Sequence, residues 1–158
     1  MRKYAAILVA VLALLALAAC GAKAPEAETF PGDTMSLEEI FTSIQKDAPD
    51  LPDTASIQLT DENFSSYLFI EPVEGAEGLA SDALINVVPH SAVLLRVPDG
   101  TDAEAVAAQI RENADPRKWI CVEAEETAVV SHGQTILLVM SAPTTVSAMT
   151  ANFDALWA

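Results

Sequence analysis

The N-terminal twenty residues limit how the rest of the chain can be stabilised. Arg2 and Lys3 give a basic start, residues 4–17 are uncharged and rich in Ala, Leu and Val, and small residues lead into Cys20-Gly21. This is the anatomy of a cleaved secretory signal. A spanning helix needs about 20 apolar residues to cross roughly 30 Å of hydrocarbon. Here the apolar run breaks at Cys20-Gly21 and passes into charged, proline-containing sequence. Residues 1–19 are expected to be removed, which places everything downstream outside the cytoplasm.

Leu17-Ala18-Ala19-Cys20-Gly21 resembles the lipobox of bacterial lipoprotein precursors. That resemblance implies a diacylglyceryl group on the Cys20 thiol and a protein tethered to the outer face of the cytoplasmic membrane. One acyl chain binds a bilayer only marginally, whereas two hold it stably at about 0.8 kcal/mol per buried CH₂. With Cys20 acylated, Cys121 is the only thiol left, so no internal disulfide can form and stability must come from an apolar core. Cys121 lies in the run Trp119-Ile120-Cys121-Val122, where a thiol is expected to be a small, inert, buried group. Residues 20–34, with two prolines and two glycines, read as the lipidated cysteine and an extended spacer. Residues 35–158 suffice for one domain with a modest core.

Charge removes several function classes. The precursor has 8 Lys+Arg against 23 Asp+Glu, and loss of Arg2 and Lys3 leaves six against 23, a mature net charge of −17. Nucleic-acid binding needs a basic footprint and is not expected, and anionic headgroups would repel the domain.

Ser36 and Glu39 form a capping box, and Leu37, Ile40, Phe41 and Ile44 share one helical face. After the proline-rich break of residues 47–53, Thr60-Asp61-Glu62-Asn63 is expected to start a short helical turn carrying Phe64 and Tyr67. Residues 68–78 fit neither pattern. Residues 83–88 and 92–97 read as β-prone runs separated by Pro89-His90-Ser91, either a tight connection or a bulge within one long strand. Asp99-Gly100 turns into a helix whose stripe is Ala103, Val106, Ala107, Ile110 and Ala114, with Thr101 and Glu104 as its capping box. Residues 119–122 read as a short strand. Residues 127–131 and 135–140 form a hairpin around His132-Gly133. Ser141 is expected to cap a last helix carrying Pro143, Val146, Met149, Phe153 and Leu156. The simplest packing is α+β, an antiparallel sheet of about four strands with helices on one face.

The lipobox, the spacer, Leu84-Ile85-Asn86-Val87, Ala92-Val93-Leu94-Leu95-Arg96-Val97, and Ser131-His132-Gly133-Gln134 leading into Ile136-Leu137-Leu138-Val139-Met140-Ser141 together resemble uncharacterised lipoproteins of Gram-positive (Firmicute) bacteria grouped as a domain of unknown function. The resemblance spans most of residues 35–156. It implies the membrane address and this architecture, and brings no catalytic or binding residues with it.

Chemistry-bearing residues are sparse. His90 and His132, the only histidines, lie far apart and lack zinc-ligand spacing. Adjacent Ser131 and His132 point to opposite faces of a strand. The Asp99–Glu104 stretch lacks calcium-loop spacing. Glu123, Glu125 and Glu126 read as a solvated loop. No nucleophile, base and orienting group assemble, so no enzyme, metal or cofactor is expected. Positive charge is uneven, because Arg96, Arg111, Arg117 and Lys118 are four of the six basic residues of the mature chain. They are the candidate contact site for an anion or an acidic partner, with a helix C-terminus as the structural role for Arg117 and Lys118. The expectation is a lipid-anchored domain that contacts another envelope protein. The alternative is a lipoprotein that binds a small ligand or ion.

Overall fold

A computed structural model describes residues 29–158. The elements are α1 (Pro31–Thr34), α2 (Leu37–Ile44), β1 (Thr54–Gln58), α3 (Phe64–Leu68), β2 (Glu77–Ala83), β3 (Ser91–Arg96), α4 (Ala103–Asn113), β4 (Glu126–His132), β5 (Thr135–Ser141) and α5 (Pro143–Asp154), followed by a 3₁₀ turn over Ala155–Trp157. The expected signal segment, Cys20 and most of the expected spacer lie outside the described residues. Among those residues no helix is long and apolar enough to cross a membrane.

The α+β class and the antiparallel sheet are as expected. The sheet has five strands in the order β1-β2-β3-β5-β4, with every neighbouring pair antiparallel. The helices cover both faces rather than one. Successive side chains of a strand alternate between faces, and β3 and β5 are apolar and buried along nearly their whole length. Val93, Leu95, Ile136, Leu138 and Met140 therefore pack with Phe64 and Leu68 of α3 and Val106, Ala107 and Ile110 of α4. Ala92, Leu94, Leu137 and Val139 point the other way, onto Ile40, Phe41 and Ile44 of α2 and Val146, Met149 and Phe153 of α5. A strand apolar on both sides needs two covers.

Local signals place the helices. Glu39 N–H donates to Ser36 Oγ at 3.2 Å and Ser36 N–H to the Glu39 carboxylate at 2.8 Å, completing the capping box of α2. For α4 the capping residue is Asp102, whose carboxylate accepts from Ala105 N–H at 3.0 Å, and not Thr101. Ser141 stays in β5, and Ala142 precedes Pro143 as the N-cap of α5. The β4–β5 hairpin pairs His132 with Thr135, with Gly133 at φ +53° in the turn. Residues 119–122 are a bent loop, and 84–88 leave the sheet once β2 ends at Ala83.

Residues 30–34 belong to the domain rather than to the spacer. Gly32 is buried against Trp157, whose Nε1–H donates to Asp33 Oδ1 at 2.8 Å, and a Cβ at position 32 would run into the indole ring. The first described residues thus dock beside Arg96, at one end of β3. The loops of residues 45–53, 84–90 and 114–125 gather at the other end.

Candidate functional site

Lys118 is the basic residue that the fold treats most unusually. After α4 stops, Pro116 C=O accepts from Ala124 N–H at 2.9 Å and pinches off a loop. Lys118 turns inward from this loop while Ile120 turns fully outward, at 102 % exposure. The Lys118 ammonium donates to Ser91 Oγ at 2.9 Å and sits 3.5 Å from Asp82 Oδ2. It also lies over the rings of Tyr67 at 4.5 Å and Trp119 at 5.4 Å. Asp82 and Ser91 are register partners on β2 and β3, so the pairing of the two strands builds the receptor for the lysine. Burial pushes the Lys118 pKa below the ordinary lysine value, and Asp82 opposes this. The Tyr67 hydroxyl is held above its usual range by burial and by the Asp82 charge.

The arrangement anchors a loop. Ser91 is wholly buried, so no substrate reaches its hydroxyl and the Ser91–Lys118 pair cannot act as nucleophile and base. On the opposite face His90, also wholly buried, has its Nδ1 3.0 Å from Ser141 Oγ, and its Nε2 has no partner. Burial depresses the His90 pKa to about 4, so the ring is neutral at physiological pH.

The four expected contact residues do not converge. Ser91 and Arg96 bound β3, five residue steps or about 17 Å apart at about 3.4 Å per residue. Arg96 is spent on the backbone, donating to Met35 C=O at 2.9 Å, Gly32 C=O at 3.2 Å and Thr135 Oγ1 at 3.2 Å. Arg111 donates to Val129 C=O at 3.2 Å and lies 3.6 Å from Glu104. It thereby covers a carbonyl on edge strand β4, a standard defence against unwanted strand pairing. Arg117 folds back onto Asp115 at 3.3 Å. A common anion site made of these four residues is not formed.

What does converge is apolar. The exposed large hydrophobic residues among the described ones are Leu84, Ile85, Val87 and Ile120, all at least 62 % exposed; Val87 and Ile120 flank Lys118, while Leu84 and Ile85 border a neighbouring hollow with Pro52 and Asp53. Asn86, Val87, Lys118, Trp119, Ile120 and Cys121 line a groove of about 400 Å³ between those loops. Cys121 is exposed there and not buried as its apolar neighbours suggested, because residues 119–122 form no strand to carry it into the core. A second hollow of about 460 Å³ at the Arg96 end is bordered by Asp33, Glu77 and Asp99, and its one cation is already saturated. Among the described residues no group of three or more His, Cys, Asp or Glu is placed to hold a metal ion.

Sequence patterning missed Asp82, Tyr67 and the exposed role of residues 84–87. Asn86 within that run and Pro89 just after it were the available loop signals. These features define a two-sided α+β domain with an apolar tip. No family model matches the chain, and no curated protein or solved structure matches it.

Proposed function

We propose that the chain is a lipid-anchored, non-enzymatic accessory domain of the cell envelope, held on the outer face of the cytoplasmic membrane through Cys20. It contacts a partner protein through the loops carrying Leu84, Ile85, Val87 and Ile120. The observation that supports this is the exposure of these four apolar side chains on loops at one end of the sheet, with Val87 and Ile120 lining one groove, since exposed apolar surface of this kind marks interaction sites. Lys118 has the supporting role of fixing one of the two loops.

Site-specific photocross-linking in native membranes tests the reading, with a benzophenone side chain at Ile120 and a control at exposed Ser147 on α5. One recurrent protein adduct from position 120, absent from position 147, is the expected result. Equal adducts from both positions, or none from 120, would overturn it. A small-ligand reading draws on the groove with its largely buried lysine, and it predicts thermal stabilisation by a small molecule with no protein adduct.

A further inference from the structure

Resting on the reading of the apolar tip, we infer that the partner segment it receives is itself apolar and basic, and that it approaches from the side away from the tethering membrane. The charge around the tip carries the first half. In the loops of residues 45–53 and 114–125, Arg117 is paired with Asp115 and Lys118 with Asp82. The ionic groups left on those loops are Asp47, Asp50, Asp53, Glu123 and Glu125 against Lys46, all exposed. The loop of residues 84–90 adds no other charged side chain, because His90 is buried and neutral. Asp53 borders the hollow beside Leu84 and Ile85, and Glu123 and Glu125 share the loop of Ile120, so the apolar side chains have acidic neighbours on a domain with a large negative charge of its own. A partner with Lys or Arg flanking apolar side chains gains steering at long range and burial at contact. An acidic partner or an anionic lipid surface is repelled before Val87 and Ile120 can be covered.

Where the chain enters carries the second half. Residues 29–34 dock beside Arg96 and Trp157, at the end of β3 opposite the tip. The nine residues from 20 to 28 span at most about 30 Å at about 3.3 Å each. A tether on Cys20 thus enters at the closed end, opposite the tip. The occupant is a protein segment presented from that side, and not the lipid of the anchoring membrane.

The test uses the full chain and three probes, with binding followed by fluorescence anisotropy or co-sedimentation. The probes are a short amphipathic peptide of leucine and lysine, the same peptide with glutamate at every lysine position, and phosphatidylcholine vesicles. The lysine peptide is expected to bind and the other two are not. The charge-neutral double change Val87→Ser/Ile120→Ser is expected to weaken binding at least about tenfold with an unchanged melting curve. The rim variant Asp53→Asn/Glu123→Gln/Glu125→Gln should weaken it less and flatten its salt dependence.

Binding that survives Val87→Ser/Ile120→Ser is mere attraction to an acidic surface and overturns the inference. Ile120-dependent preference for the glutamate peptide overturns the basic partner while leaving the apolar tip as a contact surface. Ile120-dependent vesicle binding overturns it in favour of lipid. Failure of all three probes overturns it as well, while the adducts from position 120 still decide the broader interaction reading separately.

Discussion

The two ends of β3 hold one cation each and use it in opposite ways. At Arg96 a planar guanidinium meets two backbone carbonyls and a hydroxyl, tying the first turn of the domain to the sheet, while Trp157 and Asp33 seal the margin. At Ser91 a lysine meets one hydroxyl, one carboxylate and two aromatic faces, and the loops around it expose four large apolar side chains. Arg offers a rigid fork with several donors suited to fixed carbonyls, whereas Lys offers a point charge on a flexible stem that can brace a loop from beneath. The comparison separates an end closed by docked chain from an end that leaves large apolar side chains in solvent, although both belong to one sheet. It also explains why four basic residues close in sequence form no shared site, since each was recruited to a different local duty.

The largest expected effect lies at the closed end. Arg96→Ala removes three hydrogen bonds and leaves the carbonyls of Gly32 and Met35 without their donor, for an expected loss of about 3 kcal/mol in urea unfolding. A loss below about 1 kcal/mol would show that the docked N-terminal turn contributes little and would break the comparison.

Acid should act on the open end. His90 is neutral when folded, with its pKa depressed to about 4, whereas the unfolded imidazole takes up a proton near 6.5. Its contribution is fully present above pH 6.5 and is lost as pH falls toward about 4, for a total of up to about 3 kcal/mol. His90→Gln, which keeps a polar partner for Ser141, is expected to flatten the difference in unfolding free energy between pH 7 and pH 4.5. An unchanged pH dependence in the variant would assign the acid sensitivity to carboxylates elsewhere.

A smaller effect sharpens the role of Lys118. Lys118→Met strands the Asp82 carboxylate, one of whose oxygens already lacks a partner, and should cost about 2 kcal/mol at neutral pH. Adding Asp82→Asn should restore most of that, because neutralising both members of a buried pair removes the uncompensated charge. A double variant no more stable than Lys118→Met alone would mean that the lysine's packing on Tyr67 and Trp119 matters more than its charge.

Most of the scaffold was legible because its signals are local. The capping box at Ser36, the stripe Val106-Ala107-Ile110, the glycine of the β4–β5 hairpin and Pro143 at the head of α5 each act within a few residues. β1 was not legible, because Thr-Ala-Ser-Ile-Gln has a single large apolar residue and becomes a strand only by pairing with β2. β2 itself is rich in Gly, Ala, Ser and Asp, and its register with β3 holds it in place. The second cover was foreshadowed by the unbroken apolar runs of β3 and β5, which differ from the alternation of a sheet with one wet face.

By itself the amino-acid sequence determined the placement of α2 to α5, the hairpin and the acidity, since these depend on composition and short spacings. Only the tertiary structure decided that Arg96 clamps a turn some 60 residues away in sequence, that Asp82, Ser91 and Lys118 meet, and that residues 84–87 stand in solvent instead of in the sheet. Those outcomes depend on strand order and loop closure. Chain topology brings distant residues into contact there, and no local pattern encodes which of them will meet.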